Sequence, residues 1–175
     1  MRRSAAKFLP GTRGFTLLEL VVVLVILAMI AAVVIPRLPM PGDAELERTA
    51  RRLAATIRYL NDRAITSASV YRLQLLFAEN GYRVVAVAAD GSESATGDTL
   101  LAPQRLPEKI SFRDVVTERQ GRMTEGEISL PFGATGLAEF ATIHLQDAKE
   151  RSMTIFAFPS TGKVKVAEGY QEQPL

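Results

Sequence analysis

Few side chains in this 175-residue chain have the types and spacing that chemistry requires. The chain contains no cysteine, which excludes disulfides, thiolate metal sites and a cysteine nucleophile. Its single histidine, His144, lies in the alternating segment TIHLQ, out of phase with the apolar residues on either side. Because no serine or cysteine motif accompanies it, we interpret His144 as a solvent-facing strand residue and not as a general base.

Oxygen ligands occur together at residues 90–94, which read DGSES. Calcium accepts ligands of this kind, but the spacing lacks the full pattern of a calcium-binding loop, so a solvated turn is favoured. Glycine-rich phosphate loops, metal-spaced histidines and aromatic platforms for nucleic acid are missing from the sequence. We therefore predict no metal, no cofactor and no enzymatic activity.

The carboxylate that needs an explanation is Glu19, which interrupts a long apolar segment. Residues 20–35 read LVVVLVILAMIAAVVI, and extending the segment back to Phe15 adds only Thr16 and Glu19 as interruptions. A helix over residues 15–35 would be about 31 Å long, enough to cross the core of a bilayer. A carboxylate in hydrocarbon is unfavourable by roughly 1 to 3 kcal/mol, depending on its depth. We therefore expect a partner charge for Glu19, unless the residue lies at the headgroup level and is solvated there.

The charges that flank the apolar segment predict its orientation. Arg2, Arg3, Lys7 and Arg13 precede it, with no acidic residue among them. By the positive-inside rule the N-terminus is cytoplasmic and everything after Pro36 lies outside. The net charge of +2 comes from these leading residues. The rest of the chain has no positive excess that would favour binding to nucleic acid.

Two simpler interpretations of the apolar segment remain open. An ordinary secretory signal has a shorter apolar region and a small-x-small cleavage site, which the residues AMIAAVVIP do not offer. A plain single-span anchor explains the length and the flanking charges. It leaves Glu19 unexplained.

Residues 13–26, RGFTLLELVVVLVI, closely resemble the class III signal and first helix of type IV pilins and pseudopilins. The resemblance implies that a prepilin peptidase removes residues 1–14 by cutting after Gly14, and that Phe15 becomes the methylated N-terminus. Glu19 would be the fifth mature residue, and Pro36 would fall where many family members also have a helix-kinking proline. The new α-amino group, with a pKa of roughly 7.7 to 8.0, is a cation that can pair with Glu19 of the same or a neighbouring subunit. Glu19 is therefore expected to act in subunit assembly.

After the apolar segment the sequence predicts a break and then an amphipathic helix. Residues 36–42 contain three prolines and a glycine, and proline disfavours helix in the residue before it. Asp43 can cap a helix over residues 43–66, whose first turn is acidic. Apolar residues follow at spacings of three and four: Leu46, Ala50, Leu53, Ile57, Leu60 and Ala64. Such a stripe usually covers the protein's own core, although it could instead pair with another protein.

Beyond residue 69 the pattern becomes alternating, which is typical of strands. Residues 71–77 and 82–86 predict a hairpin around a turn at 78–81, and residues 89–109, rich in glycine and proline, predict a long surface loop. Further strands are predicted at residues 110–116, 127–130, 141–146, 153–158 and 163–166. The predicted fold is α+β and type IV pilin-like. A long N-terminal helix, half transmembrane and half amphipathic, packs on an antiparallel β-domain within the globular region 43–175.

The C-terminal portion is similar to the closing strands of the H-type minor pseudopilins of type II secretion, the GspH/FimT family. The similarity lies in the segments LPFG at 130–133, IHL at 143–145, MTI at 153–155 and TGKV at 161–164. In that family a phenylalanine-glycine turn and a threonine-glycine hairpin frame the last sheet.

This resemblance implies a structural minor pseudopilin, at or near the tip of a periplasmic pseudopilus that supports protein export across the outer membrane. Its expected partners are other major and minor pseudopilins, the prepilin peptidase/N-methyltransferase and an inner-membrane assembly platform. The chain would be a single-pass inner-membrane protein with a periplasmic globular domain.

Two alternatives remain. One is a FimT-like minor pilin of a type IV pilus that takes part in DNA uptake, which relies on basic residues near the C-terminus. Here only Lys163 and Lys165 precede an acidic tail, so no nucleic acid is expected as a partner. The other is a membrane-anchored periplasmic enzyme.

Overall fold

The computed structural model describes residues 16–34, 41–159 and 161–172. The chain divides into two compact units, residues 1–40 and residues 41–175. In the first unit the described structure is helix α1, Leu17–Val34, in which Glu19 is the one charged residue. Its large apolar side chains are exposed, from 42% for Val23 to 81% for Leu17. Within the described ranges no helix is both long and apolar enough to cross a membrane.

The second unit begins with helix α2, Pro41–Ser67, two residues before the predicted start. Proline is compatible with a first helical turn because the N–H that it lacks would have no partner there. Residues 41 and 42 therefore belong to the helix, and the rest of the predicted break, residues 36–40, lies outside the described residues. The predicted apolar stripe is buried to within 3% exposure in the protein's own core: Leu46, Ala50, Leu53, Ile57, Leu60 and Ala64.

The strands of the second unit are antiparallel and form two sheets, which confirms the predicted α+β, pilin-like architecture. In chain order they are β1 Val70–Leu76, β2 Gly81–Val87, β3 Glu93–Ala95, β4 Gln104–Arg105, β5 Ile110–Thr117, β6 Gly121–Met123, β7 Glu127–Gly133, β8 Gly136–Leu137, β9 Ala141–Asp147, β10 Ser152–Ala157 and β11 Val164–Glu168. The first sheet has the order β3-β2-β1-β7-β8, with β4 paired to β2, and the second has the order β11-β10-β9-β5-β6. Helix α2 contacts strands of both sheets, so the core lies between the helix and the two sheets.

The segment that was predicted as a long surface loop, residues 89–109, is partly ordered. It contains β3, β4 and a 3₁₀ turn, Thr99–Leu101, which Asp98 caps by accepting a hydrogen bond from the Leu100 N–H at 2.9 Å. Leu101 and Leu106 are 2% and 7% exposed and belong to the core. The loop prediction is wrong here because two isolated leucines among glycines and prolines anchor the segment to the core.

Asn61 of α2 packs against two glycine turns, one at Gly136 and one at Gly162. This side chain is 2% exposed, and its Oδ1 accepts a hydrogen bond from the Leu137 N–H at 3.0 Å. A Cβ at Gly162 would lie 2.5 Å from Asn61 Nδ2, and one at Gly136 would overlap Asn61 Oδ1. Both glycines also have positive φ, 86° for Gly136 and 64° for Gly162. The two turns therefore need glycine for the close approach and for the backbone conformation.

Candidate assembly site

The N-terminal helix presents the one predicted site residue that lies among the described residues, Glu19. Thr16 precedes the helix, and its Oγ1 accepts a hydrogen bond from the Glu19 N–H at 3.2 Å, while its carbonyl accepts one from the Leu20 N–H at 3.2 Å. Thr16 and Glu19 therefore have the spacing of a capping box, Thr-x-x-Glu. Sequence reasoning missed this signal, although it is present in the residues TLLE.

The position of Glu19 in the first turn gives its carboxylate two favourable roles. A negative charge near a helix N-terminus interacts favourably with the unpaired N–H groups there. The same carboxylate is exposed, and no described residue forms an ion pair with it. It is therefore available to a cation that the described part of the chain does not supply. The other predicted site residues, Gly14, Phe15 and Pro36, lie outside the described residues.

The apolar surface of α1 is the other half of this candidate site. A helix that is hydrophobic all round needs an apolar environment or partners on every side. The side chains from Leu17 to Val33 are exposed or half-buried within the chain itself. Fully burying one such side chain contributes about 1.5 to 3 kcal/mol. Helix α1 therefore has a strong driving force to associate with lipid or with other apolar helices.

His144 lies in a different environment from the one that was predicted. Its side chain is fully buried, its Nδ1 lies 2.7 Å from Asp114 Oδ1 and its Nε2 donates to the Gln171 carbonyl at 2.9 Å. The Tyr170 ring stacks on the imidazole with a centroid separation of 4.0 Å. The prediction that His144 faces solvent is wrong, because the segment after β11 crosses the outer face of the second sheet and covers it.

We call residues 169–172 the C-terminal strap. Thr154 of β10 holds the strap beside His144, since its hydroxyl donates to the Gly169 carbonyl at 2.7 Å and accepts from the Gln171 N–H at 3.0 Å. Burial raises the pKa of the Tyr170 hydroxyl, and the nearby Asp114 carboxylate adds to the effect. Both ring nitrogens of His144 are occupied and the ring has no exposed surface, so this group is not accessible to a substrate.

Residues 89–92 form a solvated turn of the kind that was favoured, whereas Glu93 and Ser94 belong to strand β3. Asp90 Oδ1 accepts hydrogen bonds from the Ser92 hydroxyl at 2.6 Å and from the Ser92 N–H at 2.9 Å. These bonds hold the pKa of the Asp90 carboxyl below its ordinary value. Glu93 points to Arg72 and Gln74 instead. Among the described residues, no three histidines or carboxylates are grouped as a metal site would require.

Comparison with known proteins finds similarity at the N-terminus and over most of the chain. The prokaryotic N-terminal methylation motif matches residues 10–35. The type II secretion system protein H of Aeromonas hydrophila is 26% identical over 149 residues, which cover 83% of this chain and 73% of that protein.

Solved structures show the same fold. Two structures of the minor pseudopilin EpsH from the type 2 secretion system of Vibrio cholerae have TM-scores of 0.61 and 0.55 at 13% and 15% identity. The matched regions cover 73% and 71% of this chain, and 98% and 97% of the two EpsH chains. The type IV minor pilin FimU of Pseudomonas aeruginosa has a TM-score of 0.51 at 16% identity, over 74% of this chain and 92% of that one.

The fold is therefore that of the type IV pilin-like proteins, with N-terminal helices followed by antiparallel sheets. Together with the methylation motif and the similarity to a type II secretion system protein H, it confirms the resemblance to the H-type minor pseudopilins.

Proposed function

We propose that this chain is a structural minor pseudopilin of a type II secretion pseudopilus that supports protein export across the outer membrane. The proposal rests on the order of two features along the chain. A methylation motif at residues 10–35 precedes a domain with the H-type fold. A chain of this kind needs no active site, since its work is to pack against other subunits.

Processing prepares the N-terminal helix for that packing. Cleavage after Gly14 by the prepilin peptidase/N-methyltransferase removes the basic leader and leaves Phe15 as a methylated N-terminus. The α-amino group is then cationic at neutral pH, and Glu19 in the first turn of α1 supplies the opposite charge. Either charge alone is costly in a low-dielectric environment, whereas the pair is tolerated. Glu19 therefore aligns neighbouring helices at a fixed register.

The proposal also includes the location of the protein. Residues 15–35 anchor the chain once through the inner membrane, with the N-terminus in the cytoplasm and the globular domain in the periplasm. Pro36 kinks the chain after this segment. The expected partners are other major and minor pseudopilins and an inner-membrane assembly platform, with the domain placed at or near the filament tip.

Co-purification from the native membrane tests this proposal. The full-length chain, tagged at its C-terminus and extracted in mild detergent, is expected to recover other pseudopilins, identified by mass spectrometry. The matched control is the same tagged chain with Gly14 replaced, G14E, which is expected to keep its leader and lose that recovery. Equal recovery from both chains, or recovery of no pseudopilin by the unmodified chain, would contradict the proposal.

A minor pilin of a type IV pilus is the second candidate, and the likeness to FimU is the observation that favours it. Participation in DNA uptake would need a basic C-terminal surface. Glu172 of the C-terminal strap pairs with Arg122 of β6 at 2.7 Å, which reduces the positive charge available there. A strain that lacks this gene separates the two candidates. A minor pseudopilin predicts loss of exoprotein secretion, whereas a minor pilin that takes part in DNA uptake predicts loss of that uptake.

A further inference from the structure

A cavity of about 230 Å³ opens between helix α2 and strand β4, and we call it the basic groove. Its polar lining comes from three elements: Arg48, Thr49 and Arg52 of α2, Gln104 and Arg105 of β4, and Tyr82 of β2. Leu106 and Pro107 add apolar surface, and Glu45 contributes the one acidic side chain of the lining. The groove is a concave surface with three guanidinium groups and one carboxylate.

The arginines of the groove lack partners in the described part of the chain. Arg48 and Arg52 lie one helical turn apart, where like charges repel, and Arg105 joins them from β4. All three are exposed, and no salt bridge or side-chain hydrogen bond engages their guanidinium groups among the described residues. Arg51 of the same helix differs, since its guanidinium pairs with Glu47 at 2.6 Å.

Tyr82 contributes a buried hydroxyl to the lining of the groove. Burial raises the pKa of the Tyr82 hydroxyl, and the hydrogen bond with Thr56 and the charge of Arg52 oppose that rise. The hydroxyl lies 3.5 Å from Thr56 Oγ1. Hydroxyl, amide and guanidinium groups therefore line a space to which the chain contributes one carboxylate, that of Glu45.

We propose that the basic groove receives a carboxylate side chain from a neighbouring filament subunit. The guanidinium group binds carboxylates through two parallel hydrogen bonds, and arginine is enriched where protein interfaces are strongest. The apolar wall of Leu106 and Pro107 suits the methylene groups of a glutamate or aspartate better than a hydrated lipid phosphate. This inference rests on the proposed function, because a filament supplies the neighbouring subunit.

Zero-length crosslinking tests the groove directly. In the full-length chain, R48K and R52K together place primary amines in the groove, and a carbodiimide applied to native membranes joins an amine to a carboxylate that it contacts. We expect peptide mapping to find the groove lysines linked to an aspartate or glutamate of another pseudopilin. The matched control is R51K on the same helix, which should link to Glu47 of its own chain and not to another subunit.

Other outcomes of these experiments would overturn the proposal for the basic groove. Links from the groove positions to Glu45 alone, or no links while R51K reacts as expected, would overturn the proposal. A lipid phosphate as the occupant would also overturn the proposal. In that case the unmodified chain would retain phospholipid, R48E/R52E would lose it, and the groove lysines would form no crosslink to protein.

The charge-reversed variant R48E/R52E separates this inference from the proposed function. Both residues are exposed, so the thermal midpoint should stay near that of the unmodified chain while recovery of the crosslinked neighbour falls at least fivefold. If the unmodified chain recovers other pseudopilins and R48E/R52E recovers them equally well, the proposal for the basic groove is wrong and the proposed function stands. If the unmodified chain recovers none, the proposed function itself fails.

Discussion

Removing the imidazole of His144 tests how the C-terminal strap is held. In H144A the Asp114 carboxylate, which is 4% exposed, loses the partner at 2.7 Å, and the Gln171 carbonyl loses its donor. Breaking a buried pair by removing one partner costs about 3 to 5 kcal/mol. Lost stacking on Tyr170 adds roughly 0.5 to 1.5 kcal/mol. We expect the free energy of unfolding to fall by about 3.5 to 6.5 kcal/mol.

Guanidinium unfolding of the purified full-length chain measures this loss, and a fall in the thermal midpoint on the order of 10 to 20 °C should accompany it. Hydrogen exchange adds a local readout, because the Gln171 N–H, bonded to Thr154 in the native strap, should lose its protection. The matched control is R122A, which removes the exposed ion pair with Glu172 in the same strap and should cost at most about 1 kcal/mol. A loss below 1 kcal/mol in H144A, or equal losses in both variants, would refute this account of the strap.

Two further predictions each concern a single carboxylate, that of Asp98 and that of Glu19. The Tyr59 hydroxyl donates to Asp98 Oδ2 at 2.6 Å, which lowers the pKa of Asp98 below 3.8 and raises that of Tyr59 above 10.0. The hydrogen bond to the ionised Asp98 stabilises the fold at pH values above the ordinary carboxyl pKa, and this stabilisation is lost as the pH falls through the lowered pKa of Asp98. It is also lost at high pH, as the pH rises through the raised pKa of Tyr59. Y59F should therefore be less stable than the unmodified chain between about pH 4 and pH 10, with the difference vanishing outside that window. A difference independent of pH would contradict this assignment. Replacing Glu19 in E19A should leave the leader cleaved but reduce co-purification with other pseudopilins, and E19Q should behave like E19A because it also lacks the charge. Full recovery by E19Q would show that the charge is not used in pairing.

The elements with a regular pattern could be predicted from the sequence. The stripe from Leu46 to Ala64 has helical spacing, and burial of one face follows directly from it. The predicted hairpin is present as β1 and β2, which pair antiparallel. In both cases the information is local, within one or two turns of helix or between adjacent strands.

The features that the sequence did not reveal depend on distant contacts. His144 has the alternation of a solvent-facing residue, and it is buried only because Tyr170 and Gln171 fold back over the sheet. Leu101 and Leu106 reach the core from a segment whose glycines and prolines indicate a loop. A period of two distinguishes the faces of a strand, but it does not show which face a later segment will cover.

The central claim is that the leader is removed and that the N-terminal helix begins at a modified Phe15. Intact-mass and peptide mass spectrometry of the protein from its native membrane tests this most directly. We expect a chain that starts at Phe15 and carries one additional methyl group on its amino nitrogen. A chain that retains Met1 through Gly14 in a cell with an active prepilin peptidase would contradict the account.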